Sequence, residues 1–376
     1  MEIAGEMTKA RMNDLQAALG INFNEFGIMF QREWRHQILD LLRNDWMHGE
    51  VQHGSWVVEC RLFMKACEEK VPGVSAEFWS ELCKDWVFPR CIRCKAAGLP
   101  QRLRAGSQEF KVCASENLAL VTILAQFAEE HIADVAELAA ERESFLHSCL
   151  TVKLIMRIKS LAHDVSAQRE LLPLLRTSTA THLRSHCETY GTGAVVPKFH
   201  YMLHQAGQMA CDLPFVIDMF VLERHHLLMK EVARWVHNKT LYSRSVLTEY
   251  VVRLLEITTQ SGFTLLPDCL LGKPEPLPDH AGVVVAGDFV VDGTQWGANE
   301  FAFFGDAAGR VMCGLQDRSD PDGVVYAVVT ELERCHVGVT YSIWKDVGKP
   351  PTVVEGRDIE TVSAWYFRED RIVLCR

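Results

Sequence analysis

The spacing of apolar residues changes once along this chain, from three or four residues to two, near residue 275. Before that point apolar side chains recur at helical spacing, as in Trp56–Met64 and in a long stretch from about Leu118 to Leu161. Further helical patterns cover about 167–189, 197–211, 215–237 and 243–260. Afterwards, β-branched runs such as Val324–Val329 and Ile372–Cys375 are separated by Gly and Asp turns. We therefore expect an α+β protein with a mainly helical first part and a small antiparallel β barrel or sandwich at the end.

A short proline-rich segment separates the two patterns. Gly272–Asp279 contains three prolines in eight residues, and proline removes backbone donors and disfavours helix. The sequence therefore predicts a helical block over 1–271, a linker over 272–281 and a β domain over 282–376.

Composition indicates a chain that can bury a substantial core, because 48% of its 376 residues are hydrophobic. The formal net charge of −10 comes mostly from the C-terminal part, since residues 281–376 hold 9 Lys and Arg against 15 Asp and Glu. Residues 151–280 hold 14 against 12. The predicted β domain is therefore a poor candidate for direct DNA binding and a better one for contacts with protein partners.

Cysteine usage and hydropathy suggest where the chain functions. Its thirteen cysteines follow no recognisable secretory leader, which favours reduced thiols in the nucleus or cytoplasm. No apolar run approaches the length that spans a bilayer. We expect no membrane association.

Short motifs combine carboxylates with histidine, aromatic and basic residues. Asn44–Gly49 contains Asp45, Phe110–Leu118 contains a Lys-x-x-Ala-Ser-Glu pattern, and Lys198–His204 runs on to Phe220–His226, which contains Glu223. In this order, over about residues 40–260, they resemble the C-terminal part of CACTA-like DDE transposases. The resemblance matches Asp45 to the second acidic position and Glu223 to the third, with the helical insertion between them.

That resemblance implies a truncated ribonuclease-H-like core and an ancestral metal-dependent activity, DNA strand cleavage and transfer. Such enzymes hold two Mg²⁺ or Mn²⁺ ions with three carboxylates. The aspartates that precede Asp45 are Asp14 and Asp40, and neither lies in a β-branched strand pattern. We therefore expect the first acidic ligand to be missing and the protein to be catalytically incompetent. Asp45 as a helix cap and Glu223 as a surface carboxylate are the alternatives to ligand roles.

Basic residues cluster in one segment of the helical block and predict a phosphate-facing surface, since arginine contacts backbone oxygens bidentately. An ordinary solvated loop is the alternative. The predicted DNA-binding residues are Arg90, Arg93, Lys95, Arg102, Arg104 and Lys111.

Two further groups have the residue types of a zinc site. Cys83, Cys91, Cys94 and Cys113 offer four thiolates, with buried or unreactive thiols as the alternative. His200 and His204 stand four apart on one predicted helix face, a spacing that also suits a structural pair without metal.

Two function classes follow. The first is a transposase-derived remnant that keeps some DNA affinity, and the second is a protein–protein interaction module without chemistry. A degenerate fragment of a mobile element with no retained activity is also compatible with the motifs.

Overall fold

A computed structural model describes residues 8, 10–11, 44–89, 114–161, 164–210, 229–236, 241–260, 268–278, 280, 282–320, 323–338, 341–362 and 364–375, except the side chains at 76, 243 and 254–260. Contacts divide the chain into Met1–Asn44 and Asp45–Arg376. Almost all of the first unit, including Asp14 and Asp40, lies outside the described residues. The second unit is α+β, with helices first and antiparallel strands afterwards, and this part of the fold prediction is confirmed.

Helices fill the described part of the chain up to residue 260. They are α1 (Ser55–Lys70), α2 (Ala76–Lys84), α3 (Ala114–Glu130), α4 (Ala139–Ser160), α5 (Val165–Tyr190), α6 (Pro197–Met209) and α7 (Tyr242–Gln260). Residues 229–235 are also helical. Short π and 3₁₀ turns lie at Met47–Val51, Ala136–Leu138 and Thr192–Ala194.

Local sequence signals explain several helix ends. The Ser75 hydroxyl accepts from the backbone N–H of Glu77 and caps α2, and Asp164 caps α5 in the same way. Gly191, at a φ of 76°, ends α5 in a conformation that favours glycine. The long helix predicted over Leu118–Leu161 is two helices, because the chain turns at 131–138 and α4 packs back on α3.

Helix α4 lies at the centre of the helical part and packs against α1, α3 and α5. Phe63 of α1 stacks on Phe145 of α4 with ring centroids 4.4 Å apart, and both rings are fully buried. Trp56 packs beside Phe145 at 6.5 Å. Aromatic burial of this kind supplies much of the stabilisation of a helical core.

The strands begin at residue 269. They are β1 (Cys269–Leu270), β2 (Glu275–Pro276), β3 (Val283–Ala286), β4 (Asp288–Val291), β5 (Thr294–Gly297), β6 (Phe301–Phe304), β7 (Ala307–Asp317), β8 (Val325–Glu331), β9 (Glu333–Val337), β10 (Tyr341–Lys345), β11 (Pro351–Glu355), β12 (Glu360–Thr361), β13 (Ala364–Arg368) and β14 (Arg371–Cys375).

These strands form three antiparallel sheets. The orders are β1-β4-β5, β13-β14-β10-β9 and β11-β8-β7-β3-β2, with β6 pairing both β7 and β12. Glu275–Pro276, inside the segment predicted as a linker, pairs with β3. Proline is tolerated there because β2 stands at the end of its sheet.

One sheet is continuous with the helical core. Val87 forms an antiparallel bridge with Trp365 through backbone hydrogen bonds of 2.7 and 2.9 Å, and Tyr341 and Val373 pack in the same apolar cluster as the helices. The predicted domain boundaries stay a prediction. The described residues 44–86, which include Asp45, contain no strand, and the ribonuclease-H-like core also stays a prediction.

Candidate functional site

Asp45 lies just before a π-helical turn, Met47–Val51, which we call the Asp45 turn. The Asp45 carboxylate accepts from the backbone N–H of Met47 at 3.0 Å and of His48 at 3.4 Å, and it contacts His48 Nδ1. Its side chain is only 12% exposed. π-helical turns occur often at functional sites. Asp45 thus caps its own turn, and its Oδ1 atom, which accepts one of these bonds, keeps a second lone pair.

Two of the motif stretches lie against each other. Lys198 Nζ, at the start of α6, donates to the backbone carbonyl of Gln52 at 2.9 Å. A side-chain carbon at Gly49 would lie 3.0 Å from Met202 Sδ, so the turn can approach α6 closely because residue 49 is glycine. Burial lowers the pKa of Lys198, and the charge of Asp45 acts in the opposite direction. The turn and α6 are therefore neighbours although about 150 residues separate them.

Most of the other predicted site residues lie in parts of the chain that the structure does not describe. Glu223, all six predicted DNA-binding residues and three of the four predicted zinc cysteines are outside the described residues. The fourth cysteine, Cys83, is buried in the helical core. The Asp45–Glu223 pair, the basic surface and the four-cysteine site therefore stay predictions. The unplaced residues are Arg90, Arg93, Lys95, Arg102, Arg104, Lys111, Cys91, Cys94, Cys113 and Glu223.

The predicted histidine pair on α6 faces solvent. His200 and His204 are both exposed, and their Nε2 atoms lie 3.1 Å apart. No third metal-binding side chain joins them within the part of the chain that the structure describes.

A second pair of histidines with the same spacing is buried. His182 and His186 of α5 are at most 1% exposed and meet the fully buried Glu59 of α1. His182 Nε2 lies 3.4 Å from Glu59 Oε2, and His186 Nδ1 contacts the same oxygen. One ligand atom from each residue lies within 4.8 Å of the other two. Two imidazole nitrogens and a carboxylate are a donor set that suits a transition metal.

Burial and hydrogen bonding act in opposite directions on Glu59. Burial alone raises its pKa, but the contacts with His182 and His186 outweigh that effect and lower the pKa to about 2. A second buried carboxylate, Glu50, accepts from the Ser55 hydroxyl, and burial raises the pKa of Glu50. The core thus holds an ionised glutamate whose charge is stabilised mainly by the histidines.

Aromatic rings surround the two histidines. The ring of Phe199, from the Lys198-Phe199-His200 motif, lies 4.6 Å from His186 and 6.1 Å from His182. The Tyr190 ring lies 5.2 Å from His186. The buried face of α6 therefore covers the cluster, while its exposed face carries His200 and His204.

Sequence reasoning missed this cluster. The signal was present in α5, whose buried residues follow a helical stripe: Gln168, Leu172, Leu175, Ser178, Thr179, His182 and His186. Two histidines that continue the stripe marked by Leu172 and Leu175 predict buried imidazoles. Nothing local indicates Glu59, which precedes His182 by 123 residues.

A separate cleft of about 760 Å³ lies between helices and strands and is lined by residues such as Val121, Met156 and Trp296. Arg157 in its wall is paired with Glu360 at 3.0 Å. This pair links α4 to β12 across the cleft, so a structural role accounts for these charges.

Comparison with known proteins finds no matching family model, no matching curated protein and no matching solved structure. None of the helices in the described ranges is both long enough and apolar enough to cross a bilayer.

Proposed function

We propose that the chain is a transposase-derived protein of the CACTA-like DDE class, with a truncated ribonuclease-H-like core, that binds DNA without cleaving it. The observation that carries the proposal is the contact between the Asp45 turn and α6. Lys198 donates to Gln52, and Met202 packs against Gly49. The two motif stretches therefore lie together, which supports the reading that they belong to one site.

The expected lack of the first acidic ligand argues against cleavage. In-line displacement needs two metal ions held by several carboxylates in a fixed geometry. Oδ1 of Asp45 accepts one bond from the turn that follows it, so it keeps a lone pair for an ion. Asp45 and Glu223 would supply two carboxylates, and two are too few to fix both ions.

A nicking assay on supercoiled plasmid, with Mg²⁺ or Mn²⁺, tests the lack of activity. We expect no nicking above the level seen with the variants Asp45→Asn and Glu223→Gln. Metal-dependent nicking that both variants abolish would contradict the lack of catalysis. Nicking equal in all three proteins would show a contaminant.

Fluorescence anisotropy with labelled duplex DNA tests DNA binding. Replacing Arg102, Arg104 and Lys111 with Gln should weaken binding and reduce the slope of log K against log salt by about 0.9 for each DNA phosphate that the variant no longer neutralises. The matched control replaces the exposed α5 residues Arg169, Arg176 and Arg184 with Gln, which changes the net charge equally. Equal effects of the two triple variants, or no binding by the wild type, would contradict the DNA-binding proposal.

A second candidate function is a protein–protein interaction module that uses the β part. It is favoured by β9, which stands at a sheet edge with all five residues exposed, and by Val337, which is 60% exposed. Edge strands accept an added strand from an extended peptide. Peptides selected from a display library on the wild type should lose binding to Val337→Lys. Unchanged binding to that variant would exclude β9 as the docking edge.

A further inference from the structure

We propose that Glu59, His182 and His186 bind one Zn²⁺ ion inside the helical core. This site lies beyond the proposed function, because it needs neither Asp45 nor DNA. Zinc takes imidazole nitrogen and carboxylate oxygen at about 2.0 to 2.2 Å. Ligand atoms of a tetrahedral ion are then about 3.4 Å apart, and the distance from His182 Nε2 to Glu59 Oε2 is 3.4 Å. His186 Nδ1 contacts the same oxygen directly, so the His186 ring would move away from Glu59 to admit the ion.

The imidazole rings of His182 and His186 both point at the same oxygen atom of Glu59. Both histidines approach Glu59 Oε2, and Ser144 also interacts with the Glu59 carboxylate. Glu59 Oε1 is buried and has no partner of hydrogen-bond geometry among the described residues, and leaving a buried polar atom unpaired costs free energy. A cation bound through His182 Nε2, His186 Nδ1 and the carboxylate could also use the lone pairs of Glu59 Oε1.

Charge balance favours the same occupant. Glu59 is fully buried and meets both imidazoles at one carboxylate oxygen. Metal binding uses neutral imidazoles, and an ionised carboxylate between two neutral rings would have no compensating positive charge in an apolar core. A divalent ion supplies that compensation. Three protein ligands leave a fourth position for water, and the buried Tyr190 hydroxyl beside His186 has no hydrogen-bond partner among the described residues.

The role that follows is structural. Glu59 belongs to α1 and both histidines belong to α5, so the ion would join two helices that are distant along the chain. Phe199 of α6 lies against both rings and would keep bulk water away. Zinc would then stabilise the surface on which α6 and the Asp45 turn rest.

Metal analysis of the purified full-length chain tests the proposal. After expression with added zinc and extensive dialysis, mass spectrometry of the metal content should find about one Zn²⁺ per chain. Co²⁺ exchanged into the site should give the visible d–d bands of a tetrahedral ion. The variants Glu59→Gln, His182→Gln and His186→Gln should each retain at least about 10-fold less zinc, because losing a ligand weakens binding more than losing an outer-shell partner, which costs about 10- to 100-fold in affinity.

The exposed histidines of α6 provide the matched control. His200→Gln with His204→Gln removes two imidazoles at the same helical spacing, and it should leave the zinc content and the Co²⁺ bands unchanged. If this double variant loses the metal while the Glu59→Gln protein keeps it, the site is not the one proposed.

A measurement on the wild-type protein tests the proposal even if the variants fail to fold. Removing zinc from the wild type with a chelator should lower its Tm, and adding Zn²⁺ back should restore it. Wild-type protein with less than about 0.1 equivalent of zinc, no Co²⁺ bands and a Tm insensitive to chelator would overturn the proposal. The cluster would then be a buried carboxylate–imidazole ion pair without metal.

Discussion

Gly54 fixes how closely α1 approaches the Asp45 turn, and Gly54→Ala should therefore destabilise the protein strongly. A side-chain carbon at residue 54 would lie 2.2 Å from the carbonyl oxygen of Gly49 and 2.5 Å from the carbonyl carbon of Glu50. In real proteins a Cβ atom essentially never lies within 3.0 Å of a non-bonded heavy atom. The turn or the helix would have to move by about 0.8 Å to accept even one methyl group.

The turn has little room to move, because its other side already touches α6. Gly49 faces Met202 at 3.0 Å and the Gln205 side chain at 3.6 Å, measured from its ideal side-chain carbon. Overpacking in a rigid core costs about 1 to 3 kcal/mol, and the opposing atoms here are backbone. We expect the upper end, a loss of about 3 kcal/mol in the free energy of unfolding.

Urea denaturation followed by circular dichroism measures this loss as a lower midpoint at unchanged slope. The matched control is Gly207→Ala on the exposed side of α6, where an added carbon meets nothing within 4 Å. That change should stabilise the protein by about 0.5 to 1 kcal/mol through helix propensity. A Gly54→Ala protein within about 0.5 kcal/mol of the wild type would refute the close approach of α1 to the turn.

Two other perturbations follow from contacts in the helical part. Lys198→Met should remove a rise in the free energy of unfolding with pH. Burial lowers the pKa of Lys198 in the folded protein below its ordinary 10.5. Between the pKa of the folded state and that of the unfolded state, the unfolded chain holds more protons, so stability increases with pH. Unfolding free energies measured on both proteins across that range check this, and parallel profiles would contradict it. Phe63→Ala should cost about 4 kcal/mol because it removes a fully buried ring stacked on Phe145. Phe367→Ala, at a ring that is 64% exposed, is its control, and similar losses in the two variants would refute the assignment of the helical core.

The sequence by itself determined the secondary structure of the described chain to a large extent. Helix and strand each impose a period on the apolar residues, and that period is local. The switch near residue 275 therefore predicts the order of helices and strands that is observed. The break between α3 and α4 was missed, because burial on both sides of the turn keeps the helical pattern of apolar residues continuous.

Only the tertiary structure decided which polar residues are buried together. Two histidine pairs have the same spacing of four residues, yet His200 and His204 face solvent while His182 and His186 are enclosed. The difference depends on which helix covers each face, and in the buried pair it also depends on Glu59 from a distant helix. Burial and charge pairing are set by contacts between segments far apart in the chain, and a local pattern does not contain that information.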